Sequence, residues 1–195
     1  MSKLREAFEK GEFAITAEMA PPKGTDLSHL AECAKLVIGR VHAANVTDNQ
    51  SAVMRTSSLA TCKMLKDLGL EPVIQMTGRD RNRIAIESEM LSAGFFGIDN
   101  LLALTGDHVC VGDHKQAKPV FDLDAVSILS TATMMNNGTD STGLELKGKT
   151  DFFLGACVTP EYDPIEVQLL KMEKKIKAGA RFFQTQAVYD IEHMR

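Results

Sequence analysis

The chain has 195 residues, 44% of them apolar and 25% charged, with a formal net charge of −4. This is the make-up of a globular protein with a sizeable core. The acidic balance argues against a nucleic-acid backbone as main partner, which calls for clustered Lys and Arg. No apolar run approaches the ~20 residues of a membrane span, and the charged opening MSKLREAFEKGEF lacks the apolar stretch of a signal peptide. A cytoplasmic protein is expected. Cys33, Cys62, Cys110 and Cys157 form no CxxC pair, so they read as reduced core residues rather than a zinc or redox motif.

In chain order, the first apolar run is Phe13–Glu18, stopped by Pro21-Pro22. A 3.6-residue period from Leu27 to Ile38 predicts a helix, with Asp26 available to cap it. The run Val41–Val46 follows, then a helix over Ser57–Leu68 closed by Gly69. Glu71–Met76 is the third run, and the helix after it spans Asn82–Ala93 with Gly94 as its stop. Asn100–Leu104 is the fourth run, followed by a polar stretch, His108–Pro119, read as a flexible loop. A helix over Leu123–Asn136 leads through a turn-rich segment to the fifth run, Phe152–Val158. The last helix, Pro164–Ala178, ends at Gly179 before the sixth run, Phe182–Gln186.

Six strand–helix repeats without a hairpin signal imply a parallel sheet covered by helices. Two closures are open, a doubly wound sheet and a (β/α)8 barrel. No GxGxxG follows the first strand, which weakens a dinucleotide-binding doubly wound reading. Polar residues recur just past successive strands: Glu18, Thr47, Gln75 and Thr77, Asp107, Glu161, Gln186. A barrel gathers its site at those strand ends. The expectation is an α/β (β/α)8 TIM-barrel type fold, incomplete, with about six βα units in one domain over residues 1–195.

Several of these strand ends resemble motifs of the methylenetetrahydrofolate reductase family. Ala17-Glu18-Met19-Ala20-Pro21-Pro22 is similar to its FEFFPP segment, and Val46-Thr47 followed by Asp-Asn-Gln-Ser-Ala to its SVTYGA. Gln75-Met76-Thr77 stands where many members have His-Leu-Thr, and Leu102–Asp107 is close to LALRGD. Ala156–Glu161 resembles AAYPE, while Lys177–Ala180 and Thr185-Gln186 resemble DAGA and ITQ. The resemblance spans the chain but only about two-thirds of the family's barrel, whose last two strands have no counterpart here.

The resemblance implies a flavin-dependent reductase of 5,10-methylenetetrahydrofolate in one-carbon metabolism. It makes Glu18 the acid that protonates N10 of the folate, Asp107 the group that binds the pterin and tunes the flavin, and Gln186 a substrate contact. Thr47, Gln75, Thr77, Thr105, Gly106, Asp107, Phe121, Lys171, Lys174 and Lys175 fall to the cofactor. Gln75 replaces a family His and Thr105 an Arg. The cofactor expected is FAD, with FMN as the alternative if Arg79 and Arg81 hold its phosphate instead. The Asp48-Asn49-Gln50 stretch resembles the acetogen-type branch, whose reductases work with a partner subunit. The electron donor is NAD(P)H or a partner redox subunit, and exposed sheet edges imply an oligomer or complex. The competing expectations are a non-catalytic folate- or partner-binding subunit and a pterin-binding methyltransferase-like domain.

Chemistry asks for the same residue types. An acid that works near neutral pH must be desolvated or lie beside negative charge, and Glu18 closes an apolar strand before two prolines. The plainer reading is a solvated strand-end carboxylate. Asp107 could equally be a turn residue, but an ionised carboxylate also pairs two ring N–H groups. Gln186 offers a donor and an acceptor to a pterin edge, and the flanking Phe182, Phe183 and Val188 suggest partial burial. Lys171, Lys174 and Lys175 share one helix face, either solvated or meeting a phosphate. His108, Cys110, Asp113 and His114 match no metal-ligand spacing.

Overall fold

The computed structural model describes residues 2–190 and 192. Six parallel strands carry the fold: β1 (Thr16–Met19), β2 (Ala43–Val46), β3 (Pro72–Thr77), β4 (Asn100–Leu104), β5 (Phe153–Val158) and β6 (Phe182–Thr185). Helices α2 (Ser28–Val37), α3 (Ser58–Asp67), α4 (Arg83–Phe95), α5 (Ala125–Asn136) and α6 (Ile165–Lys177) connect them, and α1 (Lys3–Glu9) precedes β1. The strand order is β1-β2-β3-β4-β5-β6, with no reversal. A doubly wound sheet needs a reversal to place helices on both faces. Right-handed crossovers that always step to the next strand leave the helices on one face. The sheet therefore curls around its other face into an incomplete TIM-like half-barrel.

Alternation along each strand sorts the side chains. Ala44, Val46, Ile74, Met76, Leu101, Ala103, Leu154 and Ala156 pack outward against Cys62, Leu65, Ile86, Met90, Ile128 and Leu129 of the helices. The inward positions form two levels. Ala43, Val73, Leu102, Phe153 and Phe182 make an apolar lower level with Leu4. Gly155 makes this packing fit, since a Cβ there would overlap the Phe182 ring. Higher on the strands the inward residues Glu18, Asn45, Gln75 and Gln184 are polar, with Leu104 and Cys157 beside them. Gln184 Nε2 donates to Asn45 Oδ1 at 2.8 Å, joining β6 to β2 across the interior.

Helix α1 closes the lower mouth, an element the sequence reading did not anticipate. Ser2 caps it by accepting from Arg5 N–H and donates its own hydroxyl to Asn100 Oδ1 at 2.7 Å. The Glu71 carboxylate accepts from the Lys3 and Leu4 backbone N–H groups at 2.7 and 3.2 Å, at the positive end of the helix. Phe8 sits against the Phe153 and Phe182 rings.

Three expectations change. Gly94 lies inside α4, which ends at Phe95, and Gly97, just past the cap residue Phe96, takes the left-handed conformation at φ +69°. Of the cysteines only Cys62 is buried; Cys33 and Cys157 are half-buried and Cys110 is exposed. The stretch after β4 is a docked turn rather than a flexible loop. A short 3-10 turn at Val109–Val111 brings Gly112 against the Ala52 carbonyl so closely that a Cβ would not fit, and Asp113 pairs with Lys23.

Candidate functional site

The upper, C-terminal strand ends open onto a cleft of about 510 Å³ lined by residues of all six strand ends. Glu18, Thr47, Gln75, Thr77, Thr105, Gly106, Asp107 and Gln186, eight of the residues singled out above, line it together. Asn45 and Gln184 tie two of its walls. Glu18, Asp107 and Gln186 are exposed on the rim, and Thr47 and Thr77 are buried in the floor. Among the described residues the buried Thr47 hydroxyl has no hydrogen-bond partner. Gly106 adopts φ +92°, and a Cβ there would come within 3.1–3.3 Å of Thr77 and Arg79, so the bend after β4 depends on glycine.

Beneath the rim runs an ionic framework. The Asp48 Oδ2 accepts from Thr77 N at 2.8 Å and from the Thr77 hydroxyl at 2.9 Å, and pairs with Arg81. Arg81 also pairs with Glu89 at 2.6 Å. Burial pushes the Glu89 carboxyl above its ordinary range, against the pull of Arg81. Arg79 is 2% exposed and forms a bidentate pair with Asp80 at 2.8 and 2.6 Å. Burial opposes the Asp80 charge, but the Arg79 guanidinium outweighs it and holds that carboxyl low. Arg79 and Arg81 are thus spent on internal partners and are not free phosphate contacts. Asp80 lies between the two arginines in the chain, but Asp48 comes from the loop after β2, a pairing that spacing along the chain does not reveal.

A second cleft of about 450 Å³ lies outside β4 and β5, between the start of α5 and the flank of α6. Lys171, Lys174 and Lys175 line it together with the buried Gln168 and with Asp124. The shared helix face of the lysines is therefore real. Leu104, Thr105 and Cys157 border both clefts and form the wall between them. Lys175 donates to the Cys157 carbonyl at 2.5 Å, and burial pushes its ammonium below the ordinary lysine value. Burial raises the Cys157 thiol, partly offset by Lys175. Asp124 caps α5 by accepting from Ser127 N–H at 2.8 Å. Burial opposes its charge, and the Ser127 bonds outweigh burial and keep the carboxyl low.

Among the described residues no group of three His, Cys, Asp or Glu is arranged to hold a metal ion, and no helix is long and apolar enough to cross a membrane.

The fold is similar to two crystal forms of 2,3-dimethylmalate lyase, a PEP mutase/isocitrate lyase superfamily member. The TM-scores are 0.64 and 0.61 at 12% and 11% identity, over all of this chain and 65% and 66% of those chains. The chain thus spans just under two-thirds of their length, and the likeness is one of fold. No curated protein matches the sequence. The family model for methylenetetrahydrofolate reductase matches residues 3–195. The chain belongs to the methylenetetrahydrofolate reductase family.

Within that family frame, three expected features differ from the structure. Phe121 lines neither cleft. It has φ +44°, donates its N–H to the Gly78 carbonyl and stacks on His108, so it braces the loop behind the site. Glu18 is exposed rather than desolvated, because among the described residues β1 pairs only with β2. Gln186 is likewise exposed, since it follows β6 at the other edge and its aromatic neighbours point to the core. Asn45, Gln184 and Cys157 entered without being anticipated. The usable signal was parity: each lies an even number of residues from an inward apolar position on its own strand.

Proposed function

We propose that this chain forms the folate- and flavin-binding wall of a reductase that converts 5,10-methylenetetrahydrofolate to 5-methyltetrahydrofolate. The observation that carries the reading is the joined pair of clefts. One has carboxylates and amides on its rim and an unpartnered hydroxyl in its floor, and it meets a lysine-lined cleft across Leu104, Thr105 and Cys157. That pairing suits a ligand with a polar heteroaromatic ring at one end and phosphate at the other.

The residues fit a flavin. Thr47 offers the buried hydroxyl that lacks a partner, Gly106 lets the backbone approach a flat ring, and Lys171, Lys174 and Lys175 offer positive charge to phosphate. FAD is the form proposed, with FMN as the alternative; bound there, it would supply the hydride. The Asp107 carboxylate accepts from the pterin N–H groups, and Gln186 pairs with the ring edge. Glu18 delivers the proton to N10 as the methylene bridge opens. Because Glu18 is exposed in this chain, substrate or a neighbouring chain must cover it before it can act as an acid near neutrality. A neighbour would also cover the outer edges of β1 and β6, which have no strand beside them among the described residues. Electrons would come from NAD(P)H or a partner redox subunit. The exposure of Glu18 also favours a second reading, a folate-binding subunit without turnover of its own.

The test is to release bound flavin by denaturation, identify it, and then follow anaerobic reoxidation of the reduced holoprotein by 5,10-methylenetetrahydrofolate. The expected result is stoichiometric FAD and rapid reoxidation. Folate binding without reoxidation supports the second reading, and a protein that takes up neither FAD nor FMN overturns the first.

A further inference from the structure

Arg79 lines the cleft yet is almost fully enclosed, at 2% exposed, and its fork reaches three loops at once. Its Nη1 donates to the Asp107 carbonyl at 3.2 Å, and Nη2 donates to the Asn49 carbonyl at 3.1 Å. Nε and Nη2 grip Asp80, and Asp80 in turn accepts from Asn49 Nδ2 at 3.3 Å. The Arg79 backbone carbonyl accepts from Val120 N–H at 2.8 Å. A planar guanidinium can serve these acceptors together; an ammonium cannot.

The loop that Arg79 grips is strained. Asn49, Ser51 and Ala52 have φ of +45°, +56° and +56°, and Asn49, Gln50 and Ser51 line the main cleft. Non-glycine residues keep such conformations only where their surroundings over-determine them. Here the surroundings are Arg79 on one side, Gly112 against the Ala52 carbonyl on another, and Asn49 Oδ1 accepting from Arg55 N–H at 3.0 Å.

We propose that Arg79 is a positioning residue: it holds the strained 49–52 loop and the Asp107 backbone at a fixed separation, so that both walls of the cleft meet one ligand in register. It does so without touching the reacting atoms. The part played by Asp107 rests on the reductase reading above; the mechanical clamp does not.

The experiment uses the whole chain with Arg79→Lys, which keeps the charge but loses the fork, and Asp80→Asn, which loosens the fork from a partly exposed position. Amide hydrogen exchange should rise at least about ten-fold in residues 48–53 and 105–109, while β2, β3 and β4 stay protected. Unchanged exchange in those two segments, or a uniform rise through the sheet, overturns the proposal whether or not flavin binds. In the flavin-loaded protein, Arg79→Lys should lower kcat roughly ten- to a hundred-fold with a smaller change in KM. Combined with Asp107→Asn it should add little further loss, because both act through one group. Fully additive losses overturn the link to Asp107. A wild-type protein that binds no flavin overturns the reductase reading alone, and the exchange data still decide the clamp.

Discussion

Gln184 and Asn45 meet at 2.8 Å although their strands, β6 and β2, stand four places apart in the sheet. Only a sheet curled tightly about its polar upper level brings them together. Asn45 is 6% exposed, and among the described residues its amide nitrogen reaches only Thr16 Oγ1, at 3.4 Å. Replacing Gln184 with Leu leaves the Asn45 oxygen without its donor. The expected loss is about 1–3 kcal/mol, read from urea unfolding. Unaltered stability would mean that the curl does not depend on this contact.

Thr47 should give opposite results in two assays. Its buried hydroxyl has no partner, and Val has nearly the same shape. Thr47→Val should leave the flavin-free protein as stable as before or up to ~1 kcal/mol more stable, because an unsatisfied polar group is removed. The same change should weaken flavin binding by roughly five- to ten-fold, the worth of one ordinary hydrogen bond. Differential scanning fluorimetry with and without flavin separates the two effects.

Asp48 gathers three donors beneath the rim: the Thr77 amide, the Thr77 hydroxyl and Arg81. Asp48→Ala leaves the half-buried Arg81 with Glu89 and one long hydrogen bond to the Thr77 carbonyl. The expected cost is about 3–5 kcal/mol, that of breaking a buried pair on one side. Arg81→Met combined with Glu89→Gln and Asp48→Asn, which removes the charges together, should recover much of it. Denaturant midpoints of the single and triple variants check this.

Acid should unfold the protein through its aspartates. The Asp122 carboxyl accepts from the Arg83 side chain and backbone and is held at about 2, below the ordinary 3.8. A carboxyl lowered on folding gives stability that is full above its unfolded value and is lost as pH falls through the folded one. Asp80 and Asp124 shift the same way. Glu89, raised by burial, has the opposite sign, and its contribution fades as pH rises. The urea midpoint should therefore drop between about pH 3.8 and about pH 2, with a shallower slope in Asp122→Asn.

The alternation of strand-like runs with helical periods carried the architecture, because each apolar run is short and the first five are followed by a helix with a glycine just past its end. The site was visible where chemistry sits next to a strand end, as with Thr47, Gln75, Thr77 and Asp107. Helix α1 was missed because its apolar side is only Leu4, Ala7 and Phe8 in a charged segment, and the core residues Leu4 buries against lie 39 to 178 residues further on. Arg81 misled for the same reason, since Asp48 lies 33 residues away, whereas Arg79 pairs with its own chain neighbour, Asp80. A cation near a strand end looks available until the acids of neighbouring loops are folded against it. Gly94 looked like a helix stop, but Gly97 is the residue that takes the left-handed turn; a Cβ on Gly94 would come within 3.1 Å of Thr150.

The strand order has a consequence for how the protein comes into being. Each strand docks beside the one made just before it, so the sheet can grow in step with synthesis without waiting for a distant partner. The cleft keeps a different schedule. Its floor is present once Thr77 reaches Asp48, but its far wall arrives only with Gln184. A nascent chain halted before β6 would already hold most of the pieces of the site and none of its closure.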